Sequence, residues 1–178
     1  MKVLVCYHSD DGQTAKVAGR ISAVLIDKGC TVDVATAEDN PSPADYDGII
    51  FGDSIHAGRH SRSLRRWIAR HEDELDPLPK ALFQVSLTSS KDDDESVAEA
   101  HRLVQQLLDT TRVEPDLVGL FAGALVYTRY GWLKRTMMSR IARAEDGDAD
   151  TSKDYEYTDW EAVEQFAADA VSIFATTG

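Results

Sequence analysis

The chain opens with Lys2-Val3-Leu4-Val5-Cys6-Tyr7, followed at once by His8-Ser9-Asp10-Asp11-Gly12-Gln13-Thr14. The first stretch is an apolar run bounded by polar residues, the pattern of a strand buried on both faces of a parallel sheet. Beyond Thr14, Val17, Ala18, Ile21, Val24 and Leu25 recur at helical spacing, and Gly29 stops that helix. A strand, a short glycine-bearing loop and an amphipathic helix make the first half of a βαβ unit.

The same alternation continues to the end of the chain. Thr31–Ala35 is a short β-branched strand, and Asn40-Pro41-Ser42-Pro43 marks a loop. Gly48–Gly52 reads as a central strand, and Leu64, Trp67, Ile68 and Leu75 give a helical face. Ala81–Leu87 is the fourth strand. Val97, Ala100, His101, Val104, Leu107 and Leu108 outline the next helix, and Leu117–Leu125 is the fifth strand. Val163, Phe166, Ala167, Ala170, Val171 and Phe174 form a closing helix. Five strands alternating with helices predict an α/β fold, a three-layer, doubly wound parallel sheet. Right-handed crossovers favour the order 2-1-3-4-5. Residues 1–178 are expected to form one domain.

One segment exceeds this plan. Val126–Thr158, 33 residues, separates the fifth strand from the last helix, and within it Trp132, Leu133, Met137 and Ile141 share a helical face. Extra segments of this length are usually functional. Lys134, Arg135, Arg140 and Arg143 lie opposite that face. Residues 131–143 are therefore expected either to contact an anionic membrane surface or to pack on their own chain.

Composition narrows the function. The net charge is −12, with 21 Asp and 10 Glu against 7 Lys and 12 Arg, which argues against general nucleic-acid binding. The Asp-rich, Lys-poor balance suits either a high-salt cytoplasm or an ordinary acidic surface. No apolar run approaches the roughly 20 residues of a membrane span. Met1–Tyr7 runs straight into the first strand, unlike a signal peptide, so a cytoplasmic protein is expected, either free or peripheral on a membrane. Cys6 and Cys30 are expected as reduced core thiols. The five scattered histidines show no metal-site spacing.

In a sheet of this order, ligands sit past the carboxyl ends of the strands, near the switch between strands one and three. The loop Ser9–Thr14 stands there. Its helix start offers unpaired N–H groups and a positive dipole end to an anion. Ser9 and Thr14 supply hydroxyls, and Gly12 lets the backbone come close. Neutral donors of this kind suit a phosphate monoester. Asp11 beside a dianion is unfavourable unless its carboxylate turns away. The alternative is a plain capping loop with no ligand.

The loop resembles the Thr/Ser-x-Thr-Gly-x-Thr phosphate loop of flavodoxins, matching at Ser9, Gly12 and Thr14 and departing at Asp11. The resemblance implies bound FMN, held by Ser9, Asp10, Asp11, Gly12, Gln13 and Thr14. Gly52-Asp53-Ser54-Ile55-His56-Ala57-Gly58 resembles the loop that flanks the isoalloxazine ring, with Ser54, Ile55, His56, Ala57 and Gly58 bordering it. Ser86, Leu87, Thr88 and Ser89 could reach the pyrimidine edge. His56 is read as a proton relay near the ring or, alternatively, as an ordinary loop histidine.

More narrowly, the chain resembles the quinone-dependent protoporphyrinogen IX dehydrogenases over nearly its whole length. The likeness rests on Asp11-Gly12-Gln13-Thr14, Gly52-x-Ser54-Ile55-x-x-Gly58, Gly123-Ala124-Leu125-x-Tyr127-x-Arg129-Tyr130-x-Trp132 and Tyr157-Thr158-Asp159-Trp160. In that family FMN takes reducing equivalents from protoporphyrinogen IX and passes them to a membrane quinone, typically menaquinone, in haem biosynthesis. The resemblance implies this activity here. Arg59 and Arg129, with Arg62 and Arg135, could pair with the substrate's propionates. Tyr127, Tyr130 and Trp132 could form an aromatic wall. Three alternatives stand beside this reading. One is an electron-carrier flavodoxin with no organic substrate. Another is a phosphorylation-controlled receiver domain built on Asp10, Asp11, Asp53 and Ser86 or Thr88. The last is an NAD(P)H:quinone reductase of the same fold. The receiver reading lacks the lysine it needs after strand five, where Ala122-Gly123-Ala124 stands.

Overall fold

The computed structural model describes residues 1–87, 94–125 and 155–177. Its strands are β1 (Lys2–Tyr7), β2 (Thr31–Thr36), β3 (Gly48–Ser54), β4 (Lys80–Ser86) and β5 (Leu117–Ala122). They form one sheet in the order β2-β1-β3-β4-β5, every neighbouring pair parallel. The expected topology is therefore the observed one. Helices α1 (Gln13–Asp27), α2 (Arg62–Arg70), α3 (Glu72–Leu75), α4 (Asp94–Thr111) and α5 (Trp160–Thr177) connect and cover the sheet.

The pleat divides the core in two. Val3, Val5, Ile50, Phe83, Val85 and Phe121 point to one face, where α1 and α5 bring Val17, Ile21, Leu25, Phe166 and Phe174. Leu4, Cys6, Ile49, Phe51 and Leu82 point to the other, against Leu64, Trp67 and Ile68 of α2 and Val104 and Leu107 of α4. Both faces of β3 and β4 are fully buried, which is why those strands read as continuous apolar runs. Cys6 and Cys30 belong to opposite layers, so a bridge between them is geometrically closed; both are buried free thiols. Burial pushes the Cys6 thiol up, with Glu38 and Asp39 adding to the effect.

Two details differ from expectation. The continuous strand expected over Leu117–Leu125 stops at Ala122. Its parallel partner β4 ends at Ser86, whose carbonyl accepts the Gly123 N–H at 2.9 Å. Residues beyond need another partner. Ala124–Leu125 (β6) find it by pairing antiparallel with Tyr155–Glu156 (β7). In α4 the buried stripe is Ser96, Ala100, Leu103, Val104, Leu107 and Thr111, while Val97 and His101 are exposed. The expected extra helical segment after the fifth strand lies outside the described residues.

The small size of Gly52 has a packing reason inside the chain. A Cβ there would stand 1.9 Å from Cζ of Phe83, whose ring packs against Phe121 and Phe166. Gly52→Ala must displace that ring cluster. It is expected to destabilise the fold by about 1–3 kcal/mol, as overpacked cores do. A urea midpoint equal to wild type would contradict this packing.

Candidate functional site

The carboxyl ends of β1, β3, β4 and β5 meet around an open cleft of about 220 Å3. Asp11, Gln13 and Thr14 come from the loop after β1 and the start of α1. Ser54 to Gly58 come from the end of β3, Val85 to Leu87 from the end of β4, and Gly123 and Ala124 from beyond β5.

The first wall is built by the start of α1. Gly12 precedes the helix at φ 95°, the left-handed region that favours glycine, and so turns the chain into the helix axis. Ser9 Oγ accepts the N–H groups of Gly12 (3.1 Å) and Ala15 (3.4 Å). That hydroxyl therefore holds the loop from within. By position, the N–H groups of Gln13 and Thr14 have no intrahelical acceptor. The Thr14 hydroxyl has no partner among the described residues. The Gln13 side chain is committed elsewhere: Nε2 donates to Thr158 Oγ1 (2.8 Å), which donates to the Ala122 carbonyl (2.7 Å). These two bonds tie the loop to the end of β5 and the approach to α5.

The second wall is a tight turn. His56 and Arg59 exchange backbone hydrogen bonds at 3.2 Å, and Ala57 and Gly58 between them have φ of 49° and 66°. Positive φ at both central residues is what a type I′ turn requires. Ile55 N–H donates to the Val85 carbonyl (2.9 Å) and joins this loop to β4. Beneath it Asp53 is wholly buried; Oδ2 accepts from the Ser61 N–H (2.7 Å) and lies 3.0 Å from His60 Nδ1. Asp53 thus fixes the entry to α2. Its burial leaves no acceptor face open for a phosphorylated aspartate, which tells against the receiver reading.

Acids and imidazoles alternate along the rim. Glu38, in the 3-10 turn Ala37–Asp39 after β2, lies 2.5 Å from His8 Nδ1. His8 Nε2 lies 3.4 Å from Asp10 Oδ1, and Asp10 Oδ2 lies 3.2 Å from His56 Nε2. Ser54 Oγ donates to Asp10 Oδ2 at 3.5 Å, and Asp11 Oδ2 lies 3.8 Å from His56 Nε2. Partial burial opposes the charged form of His8. The hydrogen bond to Glu38 and the carboxylates of Glu38, Asp53 and Asp10 outweigh it, and the pKa stands above the ordinary imidazole value. Glu38 is held below the usual carboxylate range: burial opposes this, but hydrogen bonds from Ser63, its own N–H and His8 prevail.

Most of the expected contacts share one cleft: Asp11, Gln13, Thr14, Ser54, Ile55, His56, Ala57, Gly58, Ser86 and Leu87 line it. Ser9 and Gly12 shape the loop, and Asp10 faces His8 and His56 on the rim. Arg59 lines a neighbouring cavity of about 440 Å3, with His60, Arg65 of α2, and Gln106, Leu107, Asp109 and Thr110 of α4. Thr88, Ser89, Tyr127, Arg129, Tyr130 and Trp132 lie outside the described residues, as do Arg135 and the whole of 131–143. Ala124, at the expected end of the fifth strand, lines the cleft as well, while Val85 and Gly123 complete it without having been expected there. Gly123 stood near a strand end, which was a usable signal; Val85 reads as core.

A parallel sheet of this order, with its cleft at the switch between β1 and β3, defines a flavodoxin-like protein. The flavodoxin-domain family model matches residues 4–152. A protoporphyrinogen IX dehydrogenase [quinone] of Leishmania major is 34% identical over 175 residues, covering 97% of this chain and 75% of that one. The protein of that name from Escherichia coli (strain K12) is 31% identical over 169 residues, covering 94% and 93%. Among solved structures, oxidised flavodoxin 1 from Bacillus cereus superposes with a TM-score of 0.57 at 18% identity, covering 97% and 98%, a likeness of fold. The chain belongs to the flavodoxin-domain family and, within it, to that of the protoporphyrinogen IX dehydrogenases [quinone].

The raised pKa of His8 makes stability depend on pH. The contribution of its contacts with Glu38 and Asp10 is complete below the ordinary imidazole pKa of about 6.5 and is lost as pH rises through the higher folded value. His8→Gln removes it. Urea midpoints of the two proteins are expected to differ most between about pH 5 and 6, where the carboxylates are ionised and His8 is charged, and to converge at high pH. A constant gap across pH would contradict the assignment.

Proposed function

We propose that the chain is an FMN-dependent oxidoreductase that oxidises protoporphyrinogen IX and delivers the electrons to a quinone. The observation that carries the reading is the cleft wall at α1, in a chain of this family. There a Thr14 hydroxyl with no partner among the described residues and the first-turn N–H groups of Gln13 and Thr14 follow a left-handed Gly12. This donor set fits a phosphate monoester and reaches it without a bulky side chain between. The two relatives carry in their names the substrate and acceptor assigned here.

In this reading Thr14 and the N–H groups of α1 hold the phosphate, and Ser9 and Gly12 hold those donors in place. Ser54 to Gly58 and Ser86 to Leu87 border the ring on two sides, with Ile55 and Leu87 keeping water from its faces. FMN, when bound, supplies the two-electron chemistry. The chain supplies position and electrostatics. His56, on the cleft wall, holds or passes a proton at its ring nitrogens, with Asp10 against Nε2. Residues 1–178 act as one domain, with 126–158 inserted on the substrate side; Tyr127, Arg129, Tyr130 and Trp132 shape that side, and Arg59, which closes the 56–59 turn, assists. A flavodoxin-type electron carrier, which the net charge of −12 also suits, is the second reading.

Anaerobic mixing of the FMN-loaded protein with protoporphyrinogen IX separates the two. Bleaching of the flavin absorbance, restored by a soluble quinone, is expected of the dehydrogenase; an unchanged spectrum leaves the carrier. Thr14→Ala is expected to weaken FMN binding by about 1–3 kcal/mol, the worth of a hydrogen bond to a charged group. Fluorescence titration showing wild-type affinity in that variant would overturn the phosphate assignment.

A further inference from the structure

The loop that would hold the phosphate is acidic. Asp10 and Asp11 adjoin the Gly12–Thr14 donors, and Asp11 lines the same cleft. Two carboxylates beside a dianion repel it strongly in a partly desolvated site. The nearest lysine of α1, Lys16, does not offset them: its Nζ is 2.7 Å from Glu156 Oε2. What stands against the acids is a pair of imidazoles, each in contact with a carboxylate of the loop. The connection is consecutive and uses a different atom at each entry and exit. Glu38 meets His8 at Nδ1, His8 meets Asp10 through Nε2, and Asp10 meets His56 through its second oxygen.

We propose that the array Glu38–His8–Asp10–His56 is the charge-compensating part of the phosphate site, so that binding a phosphate monoester at Gly12–Thr14 draws a proton onto these imidazoles. This rests on the FMN reading and adds a property to it: cofactor affinity is proton-linked. Without bound phosphate, two imidazoles face three carboxylates, those of Glu38, Asp10 and Asp11. Adding a dianion makes the protonated ring more favourable. One proton then moves from solvent to a ring nitrogen, with no bond to carbon or phosphorus made or broken. Charged groups of both signs face the array from neighbouring elements. Asp53 acts on His8 from β3, and Arg59 closes the turn that carries His56. The carboxylate of Glu99 in α4 approaches Gly58, though it is itself engaged by Arg102. The upward shift of the His8 pKa shows the acids already favouring the charged ring before any phosphate arrives.

Calorimetric titration of the apo-protein with FMN in buffers of different ionisation enthalpy tests this directly. It is done near pH 8, where the phosphate is already a dianion and cannot itself be the group that takes up the proton. Wild type is expected to take up a measurable fraction of a proton per FMN, and its affinity to fall by up to about tenfold per pH unit in the linked range. Riboflavin, which lacks the phosphate, is expected to bind without uptake. His8→Gln with His56→Gln is expected to lose both the uptake and the pH slope. His8→Lys, which fixes the charge, is expected to reduce the uptake and flatten the pH slope. FMN binding without proton uptake in wild type, or equal uptake with riboflavin, overturns this proposal alone. Absence of any FMN binding overturns the flavin reading with it.

Discussion

The site depends on a constraint at the start of α1: a helix cannot satisfy its own first N–H groups. Here that deficit is placed where β1 ends beside β3, and it is only partly filled from inside. Ser9 Oγ takes the N–H groups of Gly12 and Ala15, while Gln13 and Thr14, whose N–H groups have no intrahelical acceptor, line the cleft. The rest of the architecture keeps this arrangement in register. Five parallel strands fix where β1 and β3 stop. The Gln13–Thr158–Ala122 connection holds α1 against the far side of the cleft. The I′ turn at Ala57 and Gly58 closes the near side without long side chains. Function in such a site is largely a matter of which orphaned donors the fold declines to cover.

The acidic rim shows how a departure from the flavodoxin loop pattern can be absorbed. Asp11 stands where a hydroxyl donor is expected, a change that is unfavourable in isolation. In the folded chain its carboxylate lies near His56, and Asp10 is shared between His56 and His8. The substitution is thus embedded in a network whose other members sit at the ends of β1, β2 and β3. Removing one member would alter the charge felt by the others, so these positions are coupled rather than additive.

The fold was legible because its strands are buried on both faces and its helices are amphipathic, so period and run length carried the signal. Lys2–Tyr7 and Gly48–Gly52 declared themselves in this way. Most of the cleft was legible too, since a doubly wound sheet confines ligands to a few strand ends, and Thr14, Ser54 and Ser86 stood at those ends. What escaped depended on partners distant in the chain. Nothing local distinguishes His8 from a scattered histidine until Glu38, 30 residues on, is brought to it. Nothing local to Gly52 shows that its missing side chain makes room for the ring of Phe83, 31 residues on. Leu117–Leu125 looked like one strand because its composition is uniform; its end is set by where β4 stops.

The short ladder of β6 and β7 has an evolutionary corollary. Ala124–Leu125 and Tyr155–Glu156 bring the two ends of an intervening stretch side by side, and Tyr157 N–H returns to the Gly123 carbonyl at 3.2 Å. The entropy of closing a loop grows only with the logarithm of its length, each doubling adding about 0.6 kcal/mol. A chain with its exit and re-entry clamped in this way can lengthen, shorten or rewrite what lies between them while the parallel sheet stays unaltered. The clamp makes that position a port at which new specificity can be grafted onto an old scaffold.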